Sequence, residues 1–308
     1  MSYKQKQEKK QIEIRDSLFH DPGFGEFRSK DRPFVLKKAE LNLHAKIRRQ
    51  AIDYFDKYEV EWWGGSLTGH LLSSQVSCLN HLFFLRNEKD LALRLLQGLN
   101  KDFVDVCEID DGFIGFEAIS KGSYLNEGKT LKRGANCTSI DAMMIGKTIT
   151  GKKILVLIEW KYTELYSKEC KADGSSGKTR KARYNDLICD AKSPINAPKN
   201  LDNLYYEPFY QIMRQTLLAW QMVENKDYDA DDWMHIEVVP ENNIDLRYKV
   251  HSPDFEQSSV EDAWKNILKD GDKYQMISPQ RMLKPFIFDS KSTALTRSVI
   301  NYLIKRYW

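Results

Sequence analysis

The sequence has little cysteine and no cysteine pattern that points to a structural site. Its five cysteines are an odd number and include no Cys-x-x-Cys pair. A disulfide framework and a zinc ribbon are therefore both disfavoured. We expect free, structural thiols in a reducing cytoplasm.

Long hydrophobic runs are also missing. The longest aliphatic run, residues 154–158, is far shorter than the ~20 residues that cross a bilayer. The N-terminal sequence MSYKQKQEKKQIEIRD lacks the apolar segment of a signal peptide. We expect a soluble cytoplasmic protein without a membrane partner.

Recognisable phosphate and DNA motifs are absent as well. No Gly-x-x-x-x-Gly-Lys-Ser/Thr loop occurs, which weakens the interpretation as an enzyme of small phosphorylated molecules. No helix-turn-helix or zinc-finger pattern is present, so sequence recognition is unassigned. The excess of charge is small too, with 47 Lys and Arg against 44 Asp and Glu. A net charge of +3 neither requires nor excludes a nucleic-acid partner.

The composition supports a folded core, since 42% of the 308 residues are hydrophobic. Apolar spacing and turn residues predict helices followed by strands, then a helix and a strand. The predicted helices are 36–58, 67–86, 90–99, 208–224, 260–269 and 292–306. The predicted strands are a hairpin over 102–120 that turns at Asp110-Asp111-Gly112, then 137–146, 152–162 and 233–240.

This order of elements predicts an α/β or α+β fold, with one central mixed β-sheet flanked by helices. We divide the chain into an N-terminal arm and helix (1–60), a core (61–250) and a C-terminal helical extension packed on the core (251–308). Residues 1–34 are expected to be a loosely packed arm. Within the core, residues 163–204 are expected to form an irregular basic insertion.

A charged triplet ends the most apolar predicted strand, in the sequence ILVLIEWKY. Alternation along a strand places Glu159 and Lys161 on one face. If strands 137–146 and 152–162 form an antiparallel hairpin centred near Thr150, facing residues have numbers that sum to 300. Asp141 then lies opposite Glu159, with Cβ atoms about 5 Å apart. Three charged side chains would therefore converge at the end of two apolar strands.

Two such carboxylates repel each other, and burial increases the cost. A divalent cation would offset it, and carboxylate oxygens suit Mg²⁺. Lys161 beside the metal could stabilise negative charge on a phosphate or orient an attacking water. The simpler interpretation is a structural ion pair, in which Lys161 bridges two acids.

Three longer segments resemble one known superfamily. They are RGANCTSIDAMMIG (133–146), LIEWKYTE (157–164) and YEPFYQIMRQTLLAWQM (206–222). In this order they resemble a bacterial branch of the restriction-endonuclease-like PD-(D/E)xK nucleases. The likeness covers roughly residues 70–240. One departure is Ile140, which stands where the superfamily signature has a proline.

The resemblance implies a restriction-endonuclease-like core and a set of site residues. Asp141 and Glu159 would hold Mg²⁺, which Mn²⁺ could replace, with the backbone carbonyl of Trp160 as a third ligand. Lys161 would be the catalytic lysine. Glu117, at the end of FIGFE, is the candidate for a further metal-binding acid. Its alternative role is a solvent-exposed strand end.

The resemblance also gives roles to the helix over 208–224. Gln211 and Gln215 share a face and would lie beside Lys161 or a phosphate, although they also fit the polar flank of an amphipathic helix. Arg214 would contact a phosphate or a carboxylate. Gln75 is either a cap on the far side of the site or a buried, hydrogen-bonded structural group.

The basic insertion is the predicted nucleic-acid contact. Its candidate residues are Lys178, Arg180, Lys181 and Arg183, on a segment that we expect to be flexible and to close over the phosphate backbone. The alternative is a solvated surface loop.

The function implied by these residues is a Mg²⁺-dependent DNA endonuclease of restriction or defence type. The alternative is a nucleic-acid-binding protein of the same fold without hydrolytic activity. The sequence leaves open a homodimer, which a double-strand cut often requires, and a partner methyltransferase.

Overall fold

The apolar stretches in the middle of the chain form the strands of a mixed sheet. The protein's computed structural model describes residues 1–128, 130–255, 259–289 and 293–308. The described residues form strands β1 (Phe24–Glu26), β2 (Asp31–Leu36), β3 (Phe103–Cys107), β4 (Gly115–Ala118), β5 (Ile140–Thr148), β6 (Lys153–Trp160), β7 (Asp232–Val238) and β8 (Tyr274–Ile277). Strands β1 and β2 form a separate hairpin, and the other six form the central sheet.

Helices surround this sheet. They are α1 (Tyr3–Phe19), α2 (Arg48–Lys57), α3 (Ser74–Leu82), α4 (Lys89–Leu99), α5 (Gly174–Cys189), α6 (Phe209–Glu224), α7 (Ile244–Tyr248), α8 (Val260–Ile267), α9 (Pro279–Met282), α10 (Lys284–Ile287) and α11 (Ala294–Arg306). No helix among the described residues combines the length and the apolar character that a membrane span needs.

The central sheet has the order β3-β5-β6-β7-β8, with β4 also paired to β5. The pairs on the β5 side are antiparallel, whereas β6–β7 and β7–β8 are parallel. The prediction of one central mixed sheet flanked by helices is therefore confirmed.

Both faces of the sheet are covered. Along β5 and β6, Ala142 and Ile158 pack into a core that includes residues of α3, α4 and α11. Their neighbours Met143 and Leu157 pack into a second core with α5, α6 and α8. Burial on both faces explains why β6 reads as a continuous aliphatic run rather than an alternating one.

The hairpin of β5 and β6 has the predicted register. Ala142 pairs with Ile158 and Gly146 with Ile154, and the residue numbers of each pair sum to 300. Gly151 takes a φ of 85° in the turn, which its lack of a Cβ makes easy. The short turn fixes this register, as turn type and loop length do in hairpins generally.

The predicted hairpin over 102–120 is wrong. Within the described part of the chain, β3 and β4 are not partners of each other; both run antiparallel along β5, one after the other. The turn itself exists, since Ile109 and Gly112 form a bridge and Asp110 and Asp111 have positive φ. The turn residues therefore lie in a loop between two strands that both pair with β5. They do not reverse the chain between two strands that pair with each other.

The prediction of a loosely packed arm over residues 1–34 is also wrong, because residues 3–19 form α1. Gln11 is fully buried, and its side-chain amide donates to the carbonyl of Arg306 at 2.8 Å. Arg306, in the last turn of α11, is buried as well and returns a hydrogen bond to Gln11. The helix is thus held to the C-terminal extension by buried polar contacts.

The two helices predicted next are shorter than expected. Residues 31–36 form β2, and α2 begins only at Arg48. Residues 67–73 precede α3, because this segment lies along β2: the N–H of Leu36 donates to the carbonyl of Gly69, and His70 bridges Val35. The helices predicted near 90–99 and 208–224 and the strand near 233–240 are confirmed.

The remaining predictions concern the insertion and the C-terminus. The insertion is not wholly irregular, because its centre forms the four-turn helix α5, which buries Tyr184 and Ile188. In the C-terminal extension, α8 and α11 match the predicted helices. Residue 292, with which the second of these predictions begins, lies outside the described residues.

Candidate active site

Four acidic residues occupy one row across four neighbouring strands. Phe116 pairs with Ala142 and Ala118 with Ile140, which places Glu117 on β4 level with Asp141 on β5. Extending the β5–β6 register by one residue places Asp141 opposite Glu159. Glu159 in turn pairs directly with Glu237 on β7. The row lies near one end of the sheet, where β5 begins and β6 and β7 end.

Glu159 is the most heavily bonded member of the row. It is buried, and its Oε1 accepts a hydrogen bond from Lys161 Nζ at 2.7 Å and another from Gln211 at 2.7 Å. Its Oε2 accepts from the side-chain amide of Gln215 at 2.6 Å. The carboxylate is therefore fixed on three sides, which defines the direction of its remaining lone pairs.

Lys161 is a buried cation held by Glu159 and Gln211. Its Nζ also donates to Gln211 Oε1 at 2.6 Å. Burial alone lowers the pKa of Lys161, but the charge of Glu159 and the more distant acidic groups around it outweigh burial and raise that pKa well above its usual range. The side chain is therefore an ammonium ion as it stands, a donor of hydrogen bonds rather than a base.

Asp141 faces two other acids. Burial, followed by the charges of Glu159 and Glu117, raises its pKa well above the usual range, although Lys161 and the N–H of Trp160 oppose this. That N–H donates to Asp141 Oδ2 at 2.7 Å. The bond ties the aspartate of β5 to the backbone of β6 at the residue between Glu159 and Lys161.

Glu117 is buried rather than a solvent-exposed strand end. Only 8% of it is exposed, and Gln75 of α3 donates to its Oε1 at 2.7 Å. Burial raises its pKa to about 7; the hydrogen bond from Gln75 opposes this, and the charge of Glu159 adds to it. Its φ of 48° lies in the left-handed region, which is costly for a residue other than glycine. Gln75 is thus a partner of the row from the opposite helical layer.

Helix α6 supplies two amides to the row because of its spacing. Gln211 and Gln215 are four residues apart and so lie one turn above the other on the helix. The Oε1 of Gln215 is buried without a hydrogen-bond partner among the described residues. A buried acceptor of this kind suits a donor or a cation that binds beside Glu159.

Arg214, on the same helix, points to a different set of partners. Its guanidinium donates to Thr138 Oγ1 at 2.8 and 3.0 Å and lies 3.4 Å from Glu127 Oε1. Thr138 and Tyr184 also donate to Glu127. The predicted contact of Arg214 with a carboxylate is therefore present, within a network that joins α5, α6 and the segment before β5.

The basic residues predicted to bind nucleic acid lie on α5, and they differ in exposure and in whether the side chain is already bonded to the protein. Lys178 is exposed and Arg183 is half-buried. Lys181 forms an ion pair with Asp202 at 2.7 Å, and Arg180 donates to the carbonyl of Lys171. Across the described residues, no hydrogen bond or ion pair joins these four side chains to the acidic row. They belong to a helix and not to a flexible loop.

Sequence reasoning missed Glu237. It is buried, and it accepts a hydrogen bond from the hydroxyl of Tyr274. Burial raises its pKa to about 7, which the charge of Lys161 partly opposes. Its position near the end of the mainly apolar strand β7 is a signal of the same kind as that of Glu159, and it could have been found in that way. Two more buried polar groups, the hydroxyl of Tyr166 and the ring nitrogens of His235, have no hydrogen-bond partner within the described part of the chain.

The donor chemistry of the row fits a divalent cation. The pKa of both Asp141 and Glu117 is raised by burial and by neighbouring carboxylates, a cost that a bound cation would remove. As the side chains stand, each of these acids is turned toward a protein donor. Among the described residues, no group of three His, Cys, Asp or Glu side chains is arranged so that it could hold a metal ion.

Comparison with known proteins identifies the family. Neither the search of curated proteins nor the search of solved structures returned a match. Residues 8–308 match the profile of a family described as "Restriction Endonuclease associating with ARP". The match spans nearly the whole chain, both helical additions included, and agrees with the mixed sheet described above. The chain belongs to this restriction endonuclease family.

Proposed function

We propose that this protein is a Mg²⁺-dependent nuclease that hydrolyses phosphodiester bonds in DNA, as an endonuclease of restriction or defence type. The observation that supports it most is the meeting of Asp141 and Glu159 in one row with Lys161 bonded to Glu159. Membership of a restriction endonuclease family agrees with this chemistry.

In this proposal, Asp141 and Glu159 would hold the metal together with the backbone carbonyl of Trp160, and Glu117 would be a further acidic ligand. Mn²⁺ can replace Mg²⁺, because both are hard cations that accept carboxylate oxygen. When bound, the cation neutralises charge on the phosphate and lowers the pKa of a coordinated water.

The protein's own groups then position the reaction. Lys161 donates a hydrogen bond to a phosphate oxygen, where negative charge grows during attack, and orients the attacking water. Gln211 and Gln215 hold the Glu159 carboxylate in place, and Gln211 also accepts from Lys161, so that the carboxylate and the ammonium keep a fixed separation. The two glutamines are therefore positioning residues.

The contact with DNA and the choice of partner complete the proposal. Lys178 and Arg183 on α5 approach the phosphate backbone, with Arg180, Lys181 and Arg214 as further candidates whose side chains must first leave their present partners. As the family description says of its members, the protein would associate with ARP. A homodimer, a methyltransferase partner and a cytoplasmic location stay predictions.

The direct test is a cleavage assay on supercoiled plasmid and single-stranded DNA with Mg²⁺, Mn²⁺ or EDTA. Asp141→Asn and Lys161→Met should each reduce cleavage by about 100-fold or more. The matched controls are Asp232→Asn and Lys153→Met, which alter the same residue types at the opposite end of the sheet. Melting temperatures show whether each variant is folded.

Two results would contradict the proposal. If folded Asp141→Asn and Lys161→Met proteins cut as fast as the wild type, the site is assigned to the wrong residues. If the wild type binds DNA but no metal supports cleavage, the alternative of a nucleic-acid-binding protein with this fold replaces the nuclease.

A further inference from the structure

An exposed tryptophan stands at the tip of a tight turn in the sequence EWWGGS. The N–H of Gly65 donates to the carbonyl of Trp62 at 2.8 Å, and Gly64 has a φ of 84°. These features suit a type II turn, with Trp63 and Gly64 at its two central positions. Trp62 stacks on Phe55 with ring centroids 3.7 Å apart, whereas Trp63 is 62% exposed.

The turn is bonded to the acidic row. The N–H of Trp63 donates to Gln75 Oε1 at 3.1 Å, and the amide of Gln75 donates to Glu117 Oε1 at 2.7 Å. Only the side chain of Gln75 therefore separates the backbone of Trp63 from a proposed metal-binding carboxylate. Gln75 is itself buried, so these hydrogen bonds are shielded from water.

A second set of contacts fixes the same turn from the other side. The N–H of Glu61 donates to the carbonyl of Arg133 at 3.0 Å, and Arg133 Nε donates to the carbonyl of Glu117 at 3.3 Å. Gly134 packs so closely that a Cβ there would lie 2.5 Å from the carbonyl oxygen of Glu61. Lys132 forms an ion pair with Glu61. The turn is thus anchored on both sides, while its tip is open.

The tip of the turn, at residues 63–66, is open to solvent and has room for a flat ring beside Trp63. A Cβ added to Gly64 or Gly65 would meet no atom within 4 Å, and Ser66 after them is exposed. A docking surface for a protein would surround its tryptophan with other apolar side chains. Here the residues that follow Trp63 in the turn are two glycines and an exposed serine, none of which places an apolar side chain beside the indole. That arrangement resembles an isolated stacking platform for a nucleobase.

We propose that Trp63 stacks on a base of the nucleic acid next to the bond to be cut. This inference rests on the proposed nuclease function, and it adds a property of the substrate. Because a base must present its face to the indole, the substrate has an unstacked base at this point, in a single strand or in a duplex opened there.

The experiment measures binding and cleavage of a single-stranded DNA oligonucleotide by the full-length protein. Trp63→Ala should weaken binding about tenfold or more, and Trp63→Phe should retain most of the affinity. The loss should be equal at low and high salt, because stacking releases no counterions. Phe288→Ala, at an 88% exposed aromatic of the C-terminal extension, is the matched control and should bind like the wild type.

Cross-linking locates the contact. Oligonucleotides that carry 5-iodouracil at one position each should cross-link through the peptide that contains Trp63, and only for positions close to the cut. The Trp63→Ala protein should lose this cross-link while it keeps its melting temperature.

The outcomes separate the two proposals. If the wild type cuts DNA while Trp63→Ala has unchanged Kd and KM and position 63 is never cross-linked, the stacking inference falls and the nuclease stands. A loss limited to binding of a protein partner would overturn it in the same way. If the wild type neither binds nor cuts nucleic acid, the proposed function itself fails.

Discussion

Replacing Glu117 by glutamine should stabilise the metal-free protein at neutral and alkaline pH. Glu117 is buried beside Asp141 and Glu159, where a third negative charge is costly. Glutamine has nearly the same shape, and its Oε1 can still accept the hydrogen bond from Gln75. The variant therefore removes the charge and keeps the packing.

The size of the effect follows from the pKa of Glu117. In the folded protein the pKa is raised to about 7, against a usual 4.5 in an unfolded chain. Between these values the folded state keeps a proton that the unfolded state has lost. The free energy of unfolding of the wild type therefore falls as the pH rises through this window, and the loss is complete above pH 7. It amounts to about 3 kcal/mol, none of which applies to the glutamine variant.

The assay is urea unfolding in EDTA from pH 4 to pH 8 for the wild type and Glu117→Gln. The variant should be nearly as stable as the wild type at pH 4 and more stable by about 3 kcal/mol at pH 8. Glu88→Gln, at an exposed carboxylate before α4, reports the effect of net charge alone. Mg²⁺ at pH 8 should stabilise the wild type more than the variant.

A stability difference that does not change with pH would refute this reasoning. It would mean that Glu117 carries no unfavourable charge in the folded protein. A wild type that became more stable than Glu117→Gln in EDTA as the pH rises would contradict it more strongly, because the sign of the linkage would then be reversed.

Two further predictions concern other charges. Lys161→Met should destabilise the protein by about 3–5 kcal/mol, because it leaves the buried Glu159 carboxylate without its cation. A double variant that also carries Glu159→Gln should recover stability in urea unfolding but should not recover cleavage. Equal stability of the wild type and both variants would contradict the prediction. Lys178→Ala with Arg183→Ala should lower the slope of log Kd against log salt by about 2 in DNA-binding titrations, whereas Lys181→Ala, at a residue paired with Asp202, should lower it less. An unchanged slope in the first variant would remove α5 from the DNA interface.

The sequence predicts the centre of the sheet well, because local rules fix it. The short turn at Gly151 sets the register between β5 and β6, because turn type and loop length fix the register of a hairpin. That register alone brings Asp141 to Glu159. The spacing of Gln211 and Gln215 predicts that they share a face of α6, but it does not decide whether that face meets the sheet or forms a polar flank.

The parts that were predicted wrongly depend on contacts between distant segments. α1 has few apolar residues, and it is placed by Gln11, whose partner is almost 300 residues away in the chain. The turn at Asp110 looks like that of a hairpin, yet both of its flanking strands pair with β5 instead. In both cases the local pattern is ambiguous and the tertiary partner decides.

The same limit applies to the site. Glu237 joins the acidic row only because β7 lies parallel to β6. No short turn connects these two strands, so the local sequence does not predict their pairing. The role of Gln75 depends on the left-handed backbone at Glu117, which brings the Glu117 carboxylate within hydrogen-bond reach of α3. A sequence pattern identifies the acids at strand ends, whereas the sheet order decides which of them meet.

The most direct test of the central claim is anomalous diffraction from a crystal grown with Mn²⁺. We predict one strong peak between the carboxylates of Asp141 and Glu159, within reach of the Trp160 carbonyl and beside Lys161. If the crystal shows no peak there, at a Mn²⁺ concentration that saturates activity, and both carboxylates keep their present protein partners, the proposed metal site is contradicted.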